Sequence, residues 1–318
     1  MYQETTDSRD AYLPNPVINP DDIEQFGKVE TEPFEFRHQL HLRPEFTLDQ
    51  LIELGRRLPD GPAFKGWQNG TIRVEDGWDA RPVERLSFEK TIEGIAENNS
   101  LLVMKHVEQD PVFGPMLQDL LQEIFVYSPA KLRDEVTIGE CLIFINSPKR
   151  KTPYHFDLES NFLLQIAGEK TVHAWANGDN SLVTIEELED YCGVGNLSAA
   201  IYKPERQVDA FTTRLLPGDG THFPSTGPHW VENGDEVSIS INVNYDMRSL
   251  HHRMKYAFAI NSRMRKLGLK PRDPGVSKFS DDLKSAAWVV ARNAKLAARR
   301  TFGIRRDGEG YPVWRPVR

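Results

Sequence analysis

The chain has 318 residues, of which 39% are hydrophobic and 27% charged, and its formal net charge at pH 7 is −8. This length allows one large domain or two small ones, and the acidic balance argues against a general nucleic-acid binder. The sequence lacks a run of about 18 apolar residues that could span a membrane, a signal-peptide core and a disulfide framework, since Cys141 and Cys192 are its two cysteines. We therefore expect a soluble, cytoplasmic protein without a membrane or nucleic acid as partner.

The first part of the sequence predicts an irregular arm followed by a mixture of helices and strands. Residues 1–32 contain few large apolar residues and several prolines, which indicates an irregular N-terminal arm. Residues 33–247 are expected to form one domain, which begins with helices and short strands. Apolar residues at helical spacing predict helices at 48–58, 88–98 and 110–127. Alternating or compact apolar runs predict strands at 34–42, 70–74 and 101–106.

From residue 135 onwards the apolar residues follow a period of two, which is typical of strands. The predicted strands are 135–146, 161–166, 170–175, 211–216 and 236–245. Turns that contain Gly or Pro separate them, and several short strands with turn signals favour a sandwich or a barrel. An acidic insert at 184–193 is expected to form at least one helical turn. The sequence thus predicts a mainly β fold with flanking helices.

Residues 248–318 are predicted to be a basic, helical C-terminal extension. Helices are expected at 249–268 and 279–302, and lysine and arginine outnumber acids in this region. The second helix has an apolar stripe formed by Leu283, Ala286, Ala287, Val290, Ala294 and Leu296. We expect this extension either to pack on the barrel or to pair with a second subunit in a homodimer, with its basic face in solvent. A specific anionic partner is the less favoured alternative.

The sequence TPYHFDLESNFLLQIAGEK, residues 152–170, contains a pattern with direct chemical meaning. His155 and Asp157 form an H-x-D pair, and residues two apart on a strand project to the same face. One imidazole and one carboxylate are two of the three ligands that hold non-haem Fe(II) while leaving positions open. An isolated H-x-D pair also fits a buried histidine beside a turn aspartate. A further histidine, His229, precedes a clearly alternating strand and is the proposed third ligand.

This part of the chain resembles the JmjC-type, cupin-like branch of the Fe(II)/2-oxoglutarate dioxygenases. It is most similar to the branch that contains the asparaginyl hydroxylase acting on hypoxia-inducible factor. The matching segments are T-x-x-H-x-D at Thr152–Asp157, N-F-x-x-Q-I-x-G-x-K at Asn161–Lys170, P-G-D at Pro217–Asp219 and H-x-V-E-N from His229. The likeness covers residues 34–247 in element order, and its motifs are specific from 144 to 245. It implies a double-stranded β-helix, the jelly-roll or cupin-like barrel, followed by the C-terminal helical extension.

The resemblance also implies a reaction. His155, Asp157 and His229 would hold Fe(II), and 2-oxoglutarate and dioxygen would be the cosubstrates. The chain would then be an enzyme, a 2-oxoglutarate-dependent dioxygenase that hydroxylates a C–H bond of a small molecule or a protein side chain. Two alternatives stay open: a non-catalytic cupin-like binding or regulatory protein, and a metal-dependent cupin enzyme that does not use 2-oxoglutarate. The sequence does not name the prime substrate.

The cosubstrate residues are also predicted by the resemblance. An inward-facing lysine in a barrel needs an anion, because an unpaired buried ammonium is costly. Lys170 occupies the position of the family's cosubstrate lysine, and Thr152 matches the hydroxyl that helps bind the same carboxylate. Asn161, and either Asn242 or Asn244, are predicted to support the site. The alternatives are a solvated lysine at a strand start and asparagines that satisfy backbone groups at a barrel rim.

His222 departs from the family's pattern. Members of the family usually have an aliphatic or aromatic residue between the G-D turn and the following proline. Because His222 lies seven residues before His229, it is the alternative distal ligand. The strand that follows His229 fits the family better, and we therefore predict His229. His173 is expected to be a core or rim histidine.

Overall fold

The structure is a computed structural model of the chain, and it describes residues 13, 15–78, 86–301 and 315; for residues 251–252 and 295–301 it describes the backbone alone. Within these residues two antiparallel sheets are formed by eleven strands. The strands are β1 (Phe34–Arg37), β2 (Lys65–Asn69), β3 (Ser100–Lys105), β4 (Val136–Asn146), β5 (Lys151–His155), β6 (Ser160–Ala167), β7 (Lys170–Ala174), β8 (Phe211–Leu215), β9 (Asp219–Phe223), β10 (His229–Asn233) and β11 (Ser238–Met247).

The connection of these strands is that of a jelly roll. The larger sheet has the order β1-β9-β6-β11-β4-β3-β2, and the smaller sheet has the order β5-β10-β7-β8. From β4 to β11 the chain passes repeatedly from one sheet to the other, so that eight strands form two facing sheets of four. β1 extends the larger sheet at one edge, and β2 and β3 extend it at the other. The predicted mainly β, cupin-like barrel with C-terminal helices is confirmed.

The two faces of the larger sheet have different neighbours because side chains alternate along each strand. In β11, Ile241 and Val243 belong to the main apolar core together with residues of the helices. Ser240 and Asn242 point to the opposite face, toward the cavity between the sheets. The alternating segment SISINVNY therefore places apolar residues in the core and polar residues at the site.

Helices cover the outer face of the larger sheet and form the C-terminal end of the described chain. The α-helices are α1 (Leu48–Arg57), α2 (Phe88–Glu93), α3 (Gly114–Tyr127), α4 (Ala130–Arg133), α5 (Ile185–Val194), α6 (Lys255–Lys266) and α7 (Lys278–Thr301). Short 3-10 helices are Pro20–Lys28, Leu40–Leu42, Pro44–Phe46, Val107–Gln109 and Pro204–Asp209, and a π-helix spans Leu250–Met254. Within the described parts of the chain, none of the helices has the length and apolar content that crossing a membrane requires.

The predicted N-terminal arm is partly ordered against the barrel. Residues 1–12 and 14 lie outside the described residues, but Pro20–Lys28 is a 3-10 helix and not irregular, and its Phe26 is fully buried. The buried Glu123 carboxylate accepts hydrogen bonds from the backbone N–H groups of Val17 (2.8 Å) and Ile18 (2.9 Å). The division of the chain at residues 32 and 247 stays a prediction.

The C-terminal helices pack on the acidic insert. α6 lies against α5, and Arg265 of α6 forms an ion pair with the buried Glu189 at 3.0 Å. The predicted apolar stripe on α7 is exposed where its side chains are described, with Leu283 62% and Val290 69% exposed; Leu296 lies outside the described side chains. Pairing with a second subunit stays a prediction.

Two strand predictions are wrong in position or extent, and a further strand was not predicted. The strand predicted at 70–74 lies at Lys65–Asn69, and Gly70, with a φ of 91°, ends it. The strand predicted at 34–42 ends at Arg37, and the chain then turns into a 3-10 helix. His229 precedes the alternating strand β11, as predicted, but it also begins β10, a separate strand of the smaller sheet that was not predicted.

Candidate active site

The smaller sheet and the loop after β5 bring the three predicted metal ligands together. His155 ends β5, His229 begins β10, and the two residues are paired in register. Asp157 follows two residues after His155, and its Oδ2 lies 3.9 Å from Nε2 of His155 and 3.7 Å from Nε2 of His229. One ligand atom of each residue lies within 4.8 Å of the others, which is a geometry that can hold a metal ion.

Both imidazoles are oriented with Nε2 toward this point. Nδ1 of His155 donates to the backbone carbonyl of Pro153 at 2.8 Å, and Nδ1 of His229 donates to that of Gly227 at 3.1 Å. Because a carbonyl can only accept, Nδ1 carries the proton and Nε2 presents its lone pair. Burial lowers the pKa of His155 to about 4 and that of His229 well below its ordinary value. The two rings are therefore neutral, which is the form that binds metals.

Asparagines support the carboxylate of the site. Burial, together with the nearby Glu159, raises the pKa of Asp157 to about 7, while a hydrogen bond from the Asn161 side chain opposes this change. Nδ2 of Asn242 donates to Oδ1 of Asn161 at 3.0 Å and to Oδ1 of Asn244 at 2.9 Å. Asn242 and Asn244 thus belong to one network, and both line the cavity. Their predicted role toward a cosubstrate stays a prediction.

Lys170 is a buried cation at the inner end of the same cavity. Its side chain is at the start of β7, the residue is 4% exposed, and Nζ donates to Oγ of Ser240 at 2.8 Å. Burial alone lowers the pKa of Lys170 to about 7, and no acidic group of the described residues opposes that effect. Thr152 on β5 lines the cavity together with Lys170 and Ser240. Among the residues that the structure describes, this end of the cavity therefore provides an ammonium and two hydroxyls but no carboxylate.

The cavity has a volume of about 820 Å³ and extends from Lys170 past the three ligands to β2, β3 and β4. Trp78 forms part of its wall, and its indole stacks on the His155 ring with the centroids 4.3 Å apart. The backbone carbonyl of Trp78 accepts a hydrogen bond from Gln68 on β2 at 2.7 Å. The loop that contains Trp78 is thereby held against the metal-binding residues.

The two other histidines singled out in the sequence lie away from this cluster. His222 is on β9 and faces the helix-covered core, where it contacts the rings of Phe34 and Phe162. Its Nδ1 donates to the Asn161 carbonyl at 2.8 Å, and its Nε2 accepts from the backbone N–H of Glu30 at 3.2 Å. His173 stacks on Trp230 with the centroids 4.0 Å apart. Neither residue lines the cavity.

Sequence reasoning missed several residues that line the cavity. Ser240 could have been found, because it shares strand parity with Asn242 and Asn244. Trp78, His106 and Glu140 carried no motif. Glu140 lies on β4, His106 follows β3, which pairs with β4, and Trp78 is bound by Gln68 of β2, which pairs with β3.

The comparisons with known proteins give distant structural likenesses. No family model matches the sequence, and no curated protein is significantly similar to it. The chain is similar to the solved structure of YcfD from Escherichia coli, with a TM-score of 0.48 and 17% identity over 86% of this chain and 66% of that one. YcfD is described as a ribosomal oxygenase, and its structure with cobalt and 2-oxoglutarate has a TM-score of 0.46 and 16% identity over 86% of this chain and 65% of that one.

A second kind of solved structure matches a smaller part of the chain. Oxalate decarboxylase from Bacillus subtilis has a TM-score of 0.24 and 17% identity over 35% of this chain and 22% of that one. The chain spans just under two thirds of the length of the E. coli protein, at 66%. At these identities and TM-scores the likeness concerns the fold and not a shared activity.

Proposed function

We propose that the chain is an Fe(II)/2-oxoglutarate-dependent oxygenase that hydroxylates a C–H bond of its prime substrate. The observation that carries this proposal is that one cavity contains both the His155–Asp157–His229 cluster and the buried Lys170. A metal enzyme that uses no 2-oxoacid needs the cluster but has no use for a buried ammonium that lacks an acidic partner.

The residues fit the metal. Two neutral imidazoles and one carboxylate leave a divalent ion with a net positive charge and with open positions, and this ligand set is typical of non-haem Fe(II) oxygenases. The carbonyls of Pro153 and Gly227 fix the orientation of the two rings, and Asn161 fixes that of Asp157. When bound, Fe(II) would supply the chemistry by which dioxygen oxidises 2-oxoglutarate to succinate and carbon dioxide and hydroxylates the substrate.

The residues also fit the cosubstrate. A dicarboxylate that reaches the metal with its 2-oxoacid end would place its other carboxylate at the inner end of the cavity. There Lys170 would provide a charge-assisted hydrogen bond, and the hydroxyls of Ser240 and Thr152 would provide further donors. Binding would also relieve the cost of an unpaired ammonium in the barrel interior. Trp78, stacked on His155, would help to keep water from the reacting atoms.

The test measures metal binding and succinate formation by the purified chain. Wild-type protein should bind one Fe(II) and convert 2-oxoglutarate to succinate slowly even without a prime substrate. His155→Ala and Asp157→Ala should lose both properties. His173→Ala should keep both, because His173 lies outside the cavity.

The possible results separate the three candidate functions. Metal and succinate release that persist in both ligand variants would refute the site. Metal binding without any 2-oxoglutarate binding would favour a cupin enzyme of another kind. If the chain binds both the metal and 2-oxoglutarate but forms no succinate under any condition that supports known oxygenases, the regulatory alternative would be favoured.

A further inference from the structure

The turn at 224–228, between β9 and β10, is bonded to two of the three metal-binding residues. The backbone N–H of Thr226 donates to the backbone carbonyl of Asp157 at 2.6 Å. The carbonyl of Gly227 accepts from Nδ1 of His229 at 3.1 Å, and His229 follows the turn directly. A displacement of this turn would therefore move the loop that contains Asp157 and the ring of His229 together.

The backbone of this turn is strained and is fixed by its neighbours. Thr226 has a φ of 60°, in the left-handed region that β-branched residues rarely adopt, and such a conformation persists only where surrounding groups fix it. The preceding residue, Ser225, is buried and is bonded on both sides. Its carbonyl accepts from the side chain of Asn177 at 3.0 Å, and its N–H donates to the carboxylate of Glu30 at 3.2 Å.

Glu30 belongs to the N-terminal segment (residues 15–32), and His222 fixes it beside the turn. The backbone N–H of Glu30 donates to Nε2 of His222 at 3.2 Å. The other ring nitrogen of His222 donates to the backbone carbonyl of Asn161, whose side chain binds the carboxylate of Asp157. An aliphatic or phenyl side chain at position 222 could form neither hydrogen bond. The histidine that departs from the family's pattern thus connects the N-terminal segment with the residues that support Asp157.

We propose that Glu30 is a positioning residue, which holds the turn at 224–228 and, through it, Asp157 and His229 in the geometry that binds the metal. This inference rests on the proposed oxygenase function, because it concerns the metal site of that function. Without the carboxylate of Glu30, the buried N–H of Ser225 would lose its acceptor and the strained turn could relax. The N-terminal segment would therefore contribute to the metal affinity, although none of its described residues lines the cavity.

The first measurement is hydrogen exchange at the backbone amides of Ser225 and Thr226 in the metal-free, full-length protein. Glu30→Ala should accelerate this exchange by at least about tenfold, which is the scale of one hydrogen bond to a charged group. Glu30→Gln should keep most of the protection, because its amide oxygen can accept the same hydrogen bond. Exchange in Glu30→Ala at the wild-type rate would overturn the proposal.

The second measurement is the affinity for Co(II), titrated into the same variants and followed by visible absorption. Glu30→Ala should bind Co(II) about three- to tenfold more weakly than the wild type, because part of the lost hydrogen-bond energy acts on the ligands. Glu30→Gln should bind it with nearly the wild-type affinity. Faster exchange combined with an unchanged Co(II) affinity would refute the positioning role, since the turn would then move without any effect on the ligands.

Asp22→Ala is the matched control within the N-terminal segment. The Asp22 carboxylate accepts from the backbone N–H of Arg37 at 2.8 Å and from its guanidinium at 2.9 Å, which attaches the segment to β1 and not to the turn. The control should therefore leave both the exchange of Thr226 and the Co(II) affinity unchanged. Equal effects of Asp22→Ala and Glu30→Ala would refute a specific role of Glu30, because any loosening of the segment would then suffice.

His222→Phe tests the second connection of Glu30. It keeps a ring against Phe34 and Phe162 but cannot accept from the N–H of Glu30. It should show the same two effects as Glu30→Ala, each smaller, and should still bind one Co(II) when the metal is in excess. Wild-type values in both measurements would refute the part assigned to His222. If the wild type binds no Co(II), the oxygenase function fails, and the exchange rates still decide whether Glu30 holds the turn.

Discussion

Replacing Lys170 with methionine tests the cosubstrate site and a pH dependence that the structure gives it. Burial lowers the pKa of this lysine from 10.5 to about 7 in the free protein. A carboxylate bound at Nζ stabilises the ammonium, so 2-oxoglutarate binding at pH 8 should take up nearly one proton. Because the ammonium of Lys170 is lost as the pH rises through about 7, the affinity for 2-oxoglutarate should be highest below that value. It should weaken by about fiftyfold between pH 7 and pH 9.

The assay is calorimetric titration of 2-oxoglutarate into Mn(II)-loaded protein, in two buffers that differ in ionisation enthalpy. Wild-type protein should show uptake of about 0.9 proton at pH 8, as a pKa of about 7 requires. Lys170→Met should bind 2-oxoglutarate at least about tenfold more weakly at pH 6.5, with no proton uptake and a flat pH profile. Its metal content should be retained, since the lysine is not a ligand. Thr152→Val should weaken binding less, and its pH profile should remain that of the wild type.

An unchanged dissociation constant in Lys170→Met would refute the role of the lysine and reopen the alternative of a metal enzyme that uses no 2-oxoacid. If Lys170→Met binds 2-oxoglutarate more weakly but the wild type takes up no proton, the contact between Lys170 and the carboxylate would stand. The lowering of the Lys170 pKa by burial would then be contradicted. Lys170→Arg provides a separate check. Its guanidinium stays charged at every pH of the experiment, so any affinity it keeps should not depend on pH.

The remaining predictions concern the distal ligand and the N-terminal segment. His222→Ala should retain the metal and His229→Ala should lose it, as measured by metal analysis of the purified variants; the opposite result would move the ligand to β9. Burial raises the pKa of Glu123 to about 7. The folded chain therefore holds the proton of the Glu123 carboxyl more tightly than the unfolded chain does. As a result, the contribution of Glu123 to the free energy of unfolding should decrease as the pH rises from 4.5 to 7. Denaturant unfolding of wild type and Glu123→Gln at pH 5 and pH 7 should show a steeper loss in the wild type, and parallel profiles would contradict this expectation.

Much of the fold could be predicted because period-two alternation is local information. The segment SISINVNY places Ile241 and Val243 in the core and Asn242 and Asn244 at the cavity, as its pattern indicates. Longer strands such as β4 and β11 were therefore placed to within a few residues. The H-x-D pair is different: Asp157 lies in the loop after β5, and that loop, not the alternation of a strand, brings its carboxylate to His155.

Short strands and distant pairings could not be predicted in the same way. β9 and β10 have five residues each, and the turn at 224–228 between them hides their alternation. The register between His229 and His155 joins residues 74 positions apart, and nothing local encodes it. The burial that shifts the pKa of Lys170 likewise depends on both sheets, so the sequence could predict the residue but not its charge in the free protein.

The two histidines of the cluster and much of the remaining cavity wall lie on different sheets. His155 and His229 belong to the smaller sheet, while Glu140 and Leu142 lie on β4 of the larger sheet, next to the extension formed by β3 and β2. Substitutions on the extension should therefore alter which molecule is accepted while leaving the ligand geometry intact. The same arrangement explains why a sequence motif reveals the metal site and why the chemistry of the prime substrate has to be sought in the shape and charge of the extended cavity.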